Sequence, residues 1–274
     1  MTELLSPPLV GCVLLGLLYA RGARELSWRA GCFAGAQLVT VAALVGPLDD
    51  EGDRLLLAHM GQHILLLFVA APLFVMSGPV FVLMRGLPMA IRRPLARALL
   101  GDGRAVRLRA FLGRLLHPWP VFAVFNLNLL LWHLPAMYDL ALRSEAVHIL
   151  EHLTFLITGC LFWGQVLDSP PFRAPLRDIE RVVYLFGGMM ASWVLAVVLA
   201  FAPSPVYSAY VGAWHRPLGL TALSDQQVAA GLMWVPGSIP FMIAITTGVY
   251  AALGSGIDRG RRRGNLTPDE GRTR

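Results

Sequence analysis

Residues 55–77 read LLLAHMGQHILLLFVAAPLFVMS, with no Asp, Glu, Lys or Arg among them. A helix needs about 20 apolar residues to cross a bilayer, so this run is long enough. It carries His59 and His63, spaced i,i+4. On a helix those rings share one face about 6 Å apart. Ionisable groups inside a membrane span are costly and point to function. Imidazole is also the commonest protein metal ligand.

Six further apolar runs flank this one, near 4–20, 29–47, 119–137, 146–167, 181–202 and 227–252. The chain of 274 residues is 56% hydrophobic, with a mean hydropathy of +0.60, too apolar for a soluble domain. The expected fold is therefore all-α: a polytopic bundle of seven transmembrane helices. Pro72, Gly78 and Pro79 kink or end the third run before Met84. Pro236 and Pro240 lie inside the seventh, tolerable where neighbours satisfy the freed carbonyls. The N-terminus carries Glu3 and no basic residue ahead of the first run, and Arg21 and Arg24 follow it, which favours a retained span over a cleaved signal peptide.

Charge gives the orientation. The net charge is +6 and every basic residue is Arg. The connections 21–28, 85–118 and 168–180 and the tail after 252, with Arg29 and Arg181 at the span edges, hold 20 of the 23 arginines. The intervening connections hold only Arg54, Arg143 and Arg216. The positive-inside rule puts the N-terminus outside and the C-terminus in the cytoplasm. With the basic residues placed between apolar runs, nucleic acid is not an expected partner. The 85–118 connection interleaves Leu and Arg at helical spacing, as amphipathic helices on an anionic lipid surface do. Residues 1–253 form one membrane domain, and 254–274 read as a disordered cytoplasmic tail.

On this map the histidines gather. A second i,i+4 pair, His148 and His152, opens the fifth span in HILEH, and His133 lies near the end of the fourth in WHLP. At 1.5 Å per residue, all five sit roughly 3–13 Å below the outer surface. Five at one depth on three spans imply a shared site; a single intramembrane His would more readily be a helix-contact hydrogen bonder. His215 falls in the last outer loop and His117 on the cytoplasmic side. Met60 and Met137 lie in the same layer, and thioethers beside imidazoles suit Cu(I). Tyr138, Asp139 and Glu151 add oxygens. Glu151 can orient a ligand imidazole or act as a helix N-terminal acid. Asp225 is an accessory candidate whose simpler role is an N-cap of the seventh span. Met189 and Met190 lie deeper and read as packing, as do Cys12, Cys32 and Cys160, which form no CxxC or spaced framework. Trp119, Trp132, Trp163 and Trp214 fall near predicted interfaces, where aromatic belts form. No P-loop, dinucleotide glycine loop, HExxH or nucleophile elbow is present, and catalysis is not expected.

At HMGQHILLLFVAAP (59–72), HPWP (117–120), WHLPAMYDLAL (132–142), HILEHLTFLITGCLFW (148–163), FAPSPVY (201–207) and DQQVAAGLMWVPG (225–237), the chain resembles the CtaG-type assembly factors associated with caa-type cytochrome c oxidases. The likeness runs from about residue 8 to 253. It implies a plasma-membrane protein of seven spans that serves the oxidase copper centre, with a cytochrome c oxidase subunit as partner. By the same resemblance His59, His63, His133, His148 and His152 are the motif histidines, and Asp225 heads the DQQ motif.

The leading function is copper binding and delivery, a chaperone-like role. A haem-binding oxidoreductase is the alternative, although two histidines on one helix face cannot easily ligate opposite sides of one haem. A metal or proton transporter ranks below both, because the polar groups concentrate in the outer half of the spans rather than across both leaflets. The residues leave the metal, its stoichiometry, the direction of transfer and the oligomeric state open, a homo-oligomer included.

Overall fold

A computed structural model describes residues 6–212, 216 and 219–264. His215 and Trp214 lie outside the described residues, as does the part of the expected disordered tail from 265 to 274. The chain is all-helical: the described residues form no β-strand, only one isolated bridge between Ser169 and Phe172.

Four helical stretches are long and apolar enough to cross a membrane: Leu56–Ser77, Glu145–Trp163, Asp178–Ala200 and Ala222–Tyr250. A fifth arises if Arg104–Leu115 and Pro118–Trp132, bent by 60° to one another, count as one span. This is a multi-pass membrane architecture with fewer full-length spans than the seven apolar runs suggest. The first run forms α1 (Pro7–Gly22) and the second α2 (Trp28–Leu44). At 1.5 Å per residue they extend only about 24–26 Å. Pro7 and Pro8 open the first, and Gly46 and Pro47 follow the second.

Past α3 (Pro47–Gly52), the third run is α4 (Leu56–Leu65), a π-helical turn Leu66–Ala70, and α5 (Ala71–Ser77). The π turn has a local cause. Ala71 N donates to Leu66 O, and Pro72 has no N–H to offer the next carbonyl. Leu67 O is left over and accepts the Trp163 indole N–H at 2.8 Å. Gly78, at φ +60°, then turns the chain into α6 (Pro79–Gly86). α6 packs on α1 at backbone contact, because a Cβ on Gly22 would collide with the Val82 carbonyl and one on Gly86 with the Leu18 carbonyl.

The 85–118 connection forms α7 (Met89–Leu100) and α8 (Arg104–Leu115), tied by Arg109 Nη1 donating to Leu99 O at 2.8 Å and Gly101 O at 3.0 Å. Ile91, Leu100, Val106 and Phe111 are exposed on these helices. The fourth apolar run ends earlier than 137: α9 (Pro118–Trp132) stops at Trp132, and Pro135 starts a separate α10 (Pro135–Arg143). Proline is favourable at a helix start and unfavourable inside one, which places the break there. α11 (Glu145–Trp163) and α12 (Asp178–Ala200) follow. The seventh run is broken by a 3₁₀ turn at Pro236–Ser238 into α13 (Ala222–Trp234) and α14 (Ile239–Gly264). α14 continues eleven residues into the segment read as disordered, since extending a formed helix needs no new nucleus.

Two apolar clusters form the core. One joins Phe125, Phe155, Phe162, Trp163, Tyr184 and Phe241 across α9, α11, α12 and α14. The other joins Leu56, Met60, Tyr138, Leu199, Tyr207 and Met233. Trp132 and Trp163 are buried rather than at a rim, held by indole bonds to Thr154 Oγ1 at 2.9 Å and to Leu67 O; Trp119 is exposed. Leu17, Leu38, Leu127, Val194 and Ile243 cover the outside with apolar surface. The described cysteines are free.

Candidate metal centre

The seam between the two core clusters is polar, and all five predicted histidines meet there. α4 brings His59 and His63, with ring centroids 4.5 Å apart. α11 brings His148 and His152, 4.4 Å apart. Across the helices, His59 lies 5.0 Å from His148 and 5.4 Å from His152. His63 lies 5.2 Å from His152 and 5.9 Å from His133. Phe155 and Tyr138 close the seam from the two sides, 4.5 Å from His63 and 5.0 Å from His59.

Glu151 is at the centre of this group. Its Oε2 is 3.5 Å from His59 Nε2 and its Oε1 is 3.5 Å from His63 Nε2, with the carboxylate fully buried. The i+3 spacing from His148 puts it on the inward face of α11. A role as a helix N-terminal acid does not fit, because the carboxylate faces imidazoles instead of backbone amides.

The unsatisfied atoms define what the site can do. Nε2 of all five histidines, Nδ1 of His63 and both Glu151 oxygens are buried with no hydrogen-bond partner in the protein. Buried polar atoms normally find one, and this group has the donor atoms to hold a cation. His59, His148, His152 and Glu151 offer one ligand atom each, all within 4.8 Å of one another. Ligands about 2.0–2.2 Å from a tetrahedral metal stand about 3.3–3.6 Å apart, so closure needs side-chain shifts of about 1 Å. His133 sits at the edge as the C-cap of α9, where its Nδ1–H donates to Leu129 O at 2.8 Å. That bond satisfies a carbonyl left open at the helix end and fixes Nε2 as the free nitrogen.

The accessory candidates divide. Met60 is packed in one core cluster and Met137 against the other. Asp139 ties the surface, accepting from Ser208 Oγ at 2.6 Å and lying 3.8 Å from Arg143 Nη2. Asp225 does not cap its own helix; Thr221 does that. Asp225 instead accepts from Leu56 N at 2.9 Å and Leu57 N at 3.1 Å, capping α4. The next residue, Gln226, donates to Leu199 O and accepts from Val206 N. Asp225 of the DQQ motif thus anchors the helix that bears His59 and His63, while Gln226 ties the end of α12 and the segment after it.

Two side chains around the site carried no clear sequence signal. Tyr210 O–H donates to Gly52 O at 2.8 Å, and the Tyr210 hydroxyl oxygen lies 3.4 Å from His59 Nδ1. Gln62 donates to Ala43 O and Asp49 Oδ1, each at 2.8 Å, and so pins α3 and α2 to α4. Gln62 was visible as an uncharged polar residue inside an apolar run. Tyr210 lies outside every motif and could be placed only by the fold.

Among curated proteins, the chain is similar to uncharacterised proteins of Mycobacterium bovis and Mycobacterium tuberculosis. Each is 26% identical over 251 residues, which is 85% of this chain and 36% of theirs. An uncharacterised protein of Mycobacterium leprae is 22% identical over 231 residues, 81% of this chain and 33% of its own. This chain therefore spans about a third of the length of these relatives. No solved structure matches it. The model of one family covers residues 12–253, which takes in every histidine of the cluster. The chain belongs to that family, the cytochrome c oxidase caa3 assembly factors (Caa3_CtaG).

Proposed function

We propose that this protein holds a copper ion in the histidine cluster and hands it to cytochrome c oxidase during assembly of that enzyme. The observation that carries the reading is the group His59, His148, His152 and Glu151, whose buried Nε2 and carboxylate oxygen atoms lack hydrogen-bond partners in the protein. Family membership supplies the context of oxidase assembly. Imidazole suits copper in both oxidation states, and a site of three nitrogens with one carboxylate need not engage all four at once. Two or three ligands hold the metal while another is free to pass it on.

The proposed topology is seven crossings, N-terminus outside and C-terminus cytoplasmic. The arginine asymmetry supports it. So does the grouping of α3 and the 203–212 segment around the histidine end of the bundle, through Gln62, Tyr207 and Tyr210. The cluster then lies just beneath the extracytoplasmic face of the plasma membrane.

Haem is the poorer fit. A macrocycle needs a slot beside its ligand rings, and at His59 and His63 Glu151, Tyr138 and Phe155 pack directly against them. The test is metal analysis of the purified, detergent-solubilised protein together with its visible spectrum. About one copper per chain is expected. His59→Ala combined with His148→Ala should abolish it. Full copper loading in that double variant, or a Soret band in the unsubstituted protein, overturns the proposal.

A further inference from the structure

Three polar side chains share one face of α11: Glu145, His148 and His152, spaced i, i+3 and i+7. Their burial deepens along the helix. Glu145 is exposed, His148 half-buried and His152 only 4% exposed. All three line a cavity of about 310 Å³ between α1, α2 and α11, to which α3 contributes Asp49. The other histidines of the cluster, His59, His63 and His133, are 0–5% exposed and do not line this cavity.

The cavity walls are mostly apolar, but its polar atoms are unusual. Four residues of this lining, Ser6, Gln37, His148 and His152, each carry a buried polar atom without a protein partner: Ser6 Oγ, Gln37 Oε1 and the Nε2 atoms of the two histidines. A lipid chain filling the space would satisfy the apolar walls and leave those four atoms unpaired. A cation moving along the face of α11 uses them. The exposed carboxylate of Glu145 attracts it, Asp49 adds carboxyl oxygens to the lining, and the rings of His148 and His152, 4.4 Å apart, provide successive nitrogens.

We propose that this cleft is the passage by which copper enters and leaves the buried cluster, with His148 as the hand-over ligand between the cleft and His59 and His152. The inference rests on the copper reading above. No change of oxidation state is involved: one nitrogen ligand replaces another on the same ion.

Gly11 on α1 lines the cleft, and a Cβ added there meets nothing within 4 Å. Gly11→Trp therefore obstructs the passage without touching a ligand. Leu15→Trp, one turn further along α1 and also in the lining, is a second obstruction. Gly31→Trp, on α2 with equally open space but away from the cavity, is the control. The measurement is the rate at which the Cu(I)-loaded protein gives up its metal to a chromophoric Cu(I) chelator. Either cleft variant should slow release by about tenfold or more, with copper stoichiometry unchanged and the control at the unsubstituted rate. Unchanged release from both cleft variants at full stoichiometry overturns the passage while leaving the metal site standing. An unsubstituted protein that holds no copper overturns the metal reading, and the passage with it.

Discussion

Asp225 Oδ2 accepts a hydrogen bond from Leu56 N at 2.9 Å, across 169 residues of chain. The carboxylate of one helix thereby caps another, and the capped helix is α4, which presents His59 and His63. Asp225 is fully buried, as a residue with a surface role would not be.

Replacing it should therefore act through position. Asp225→Ala removes both acceptors and leaves the buried Leu56 amide and the half-buried Leu57 amide unpaired, at a cost of about 1–3 kcal/mol. Asp225→Asn keeps one acceptor and should cost less. Thermal unfolding and copper titration on the same samples separate the roles. A variant that loses copper with its stability intact would mark Asp225 as a ligand instead.

Glu151 is the test of how the carboxylate contributes. Glu151→Gln keeps the volume and one acceptor but removes the charge between His59 and His63. Copper affinity should fall about 10- to 100-fold with the fold retained. Competition against a chelator of known affinity reads this directly, and an unchanged affinity would remove Glu151 from the site.

The π turn in the third run leaves one carbonyl, Leu67 O, to the Trp163 indole. Trp163→Phe leaves Leu67 O without its partner in an apolar interior. The expected loss is about 1–3 kcal/mol of stability, with copper stoichiometry preserved. A melting temperature equal to that of the unsubstituted protein would show that another group takes up this carbonyl.

The contact of α1 with α6 is set by two glycines. Gly22→Leu or Gly86→Leu drives a side chain into the facing backbone, which cannot yield as a flexible side chain would. Each should destabilise by about 1–3 kcal/mol or more. Gly31→Leu, with open space around it, should be neutral by the same measurement.

Asp49 supplies a pH dependence. Burial raises its carboxyl above the ordinary carboxylate range, with the Gln62 amide bond acting in the opposite sense. A carboxyl raised in the folded state favours its neutral form there. The stability this contributes is present below the unfolded value and is lost as pH rises through the folded one. Asp49→Asn is neutral throughout, so it should be at least as stable as the unsubstituted protein at about pH 8 and lose that advantage at about pH 4. Unfolding at both pH values checks the sign. A variant that is relatively weaker at the higher pH would show that the fold needs the charge.

Much of this protein is legible in its sequence because the relevant signals are local. The apolar run at 55–77, the arginine asymmetry and the i,i+4 spacing of His59 with His63 and of His148 with His152 are all properties of neighbouring residues. They determine a helical membrane protein with imidazoles on defined helix faces. Tertiary structure decided the rest. It brought α4 against α11 so that the two pairs converged, placed Glu151 between them, and left Met60 and Met137 in apolar packing. It also turned Asp225 from a cap of its own helix into a cap of α4. Each of those outcomes depends on which helix packs beside which, across separations from tens of residues to 169. A periodic pattern states which face of a helix is buried and is silent on what that face meets.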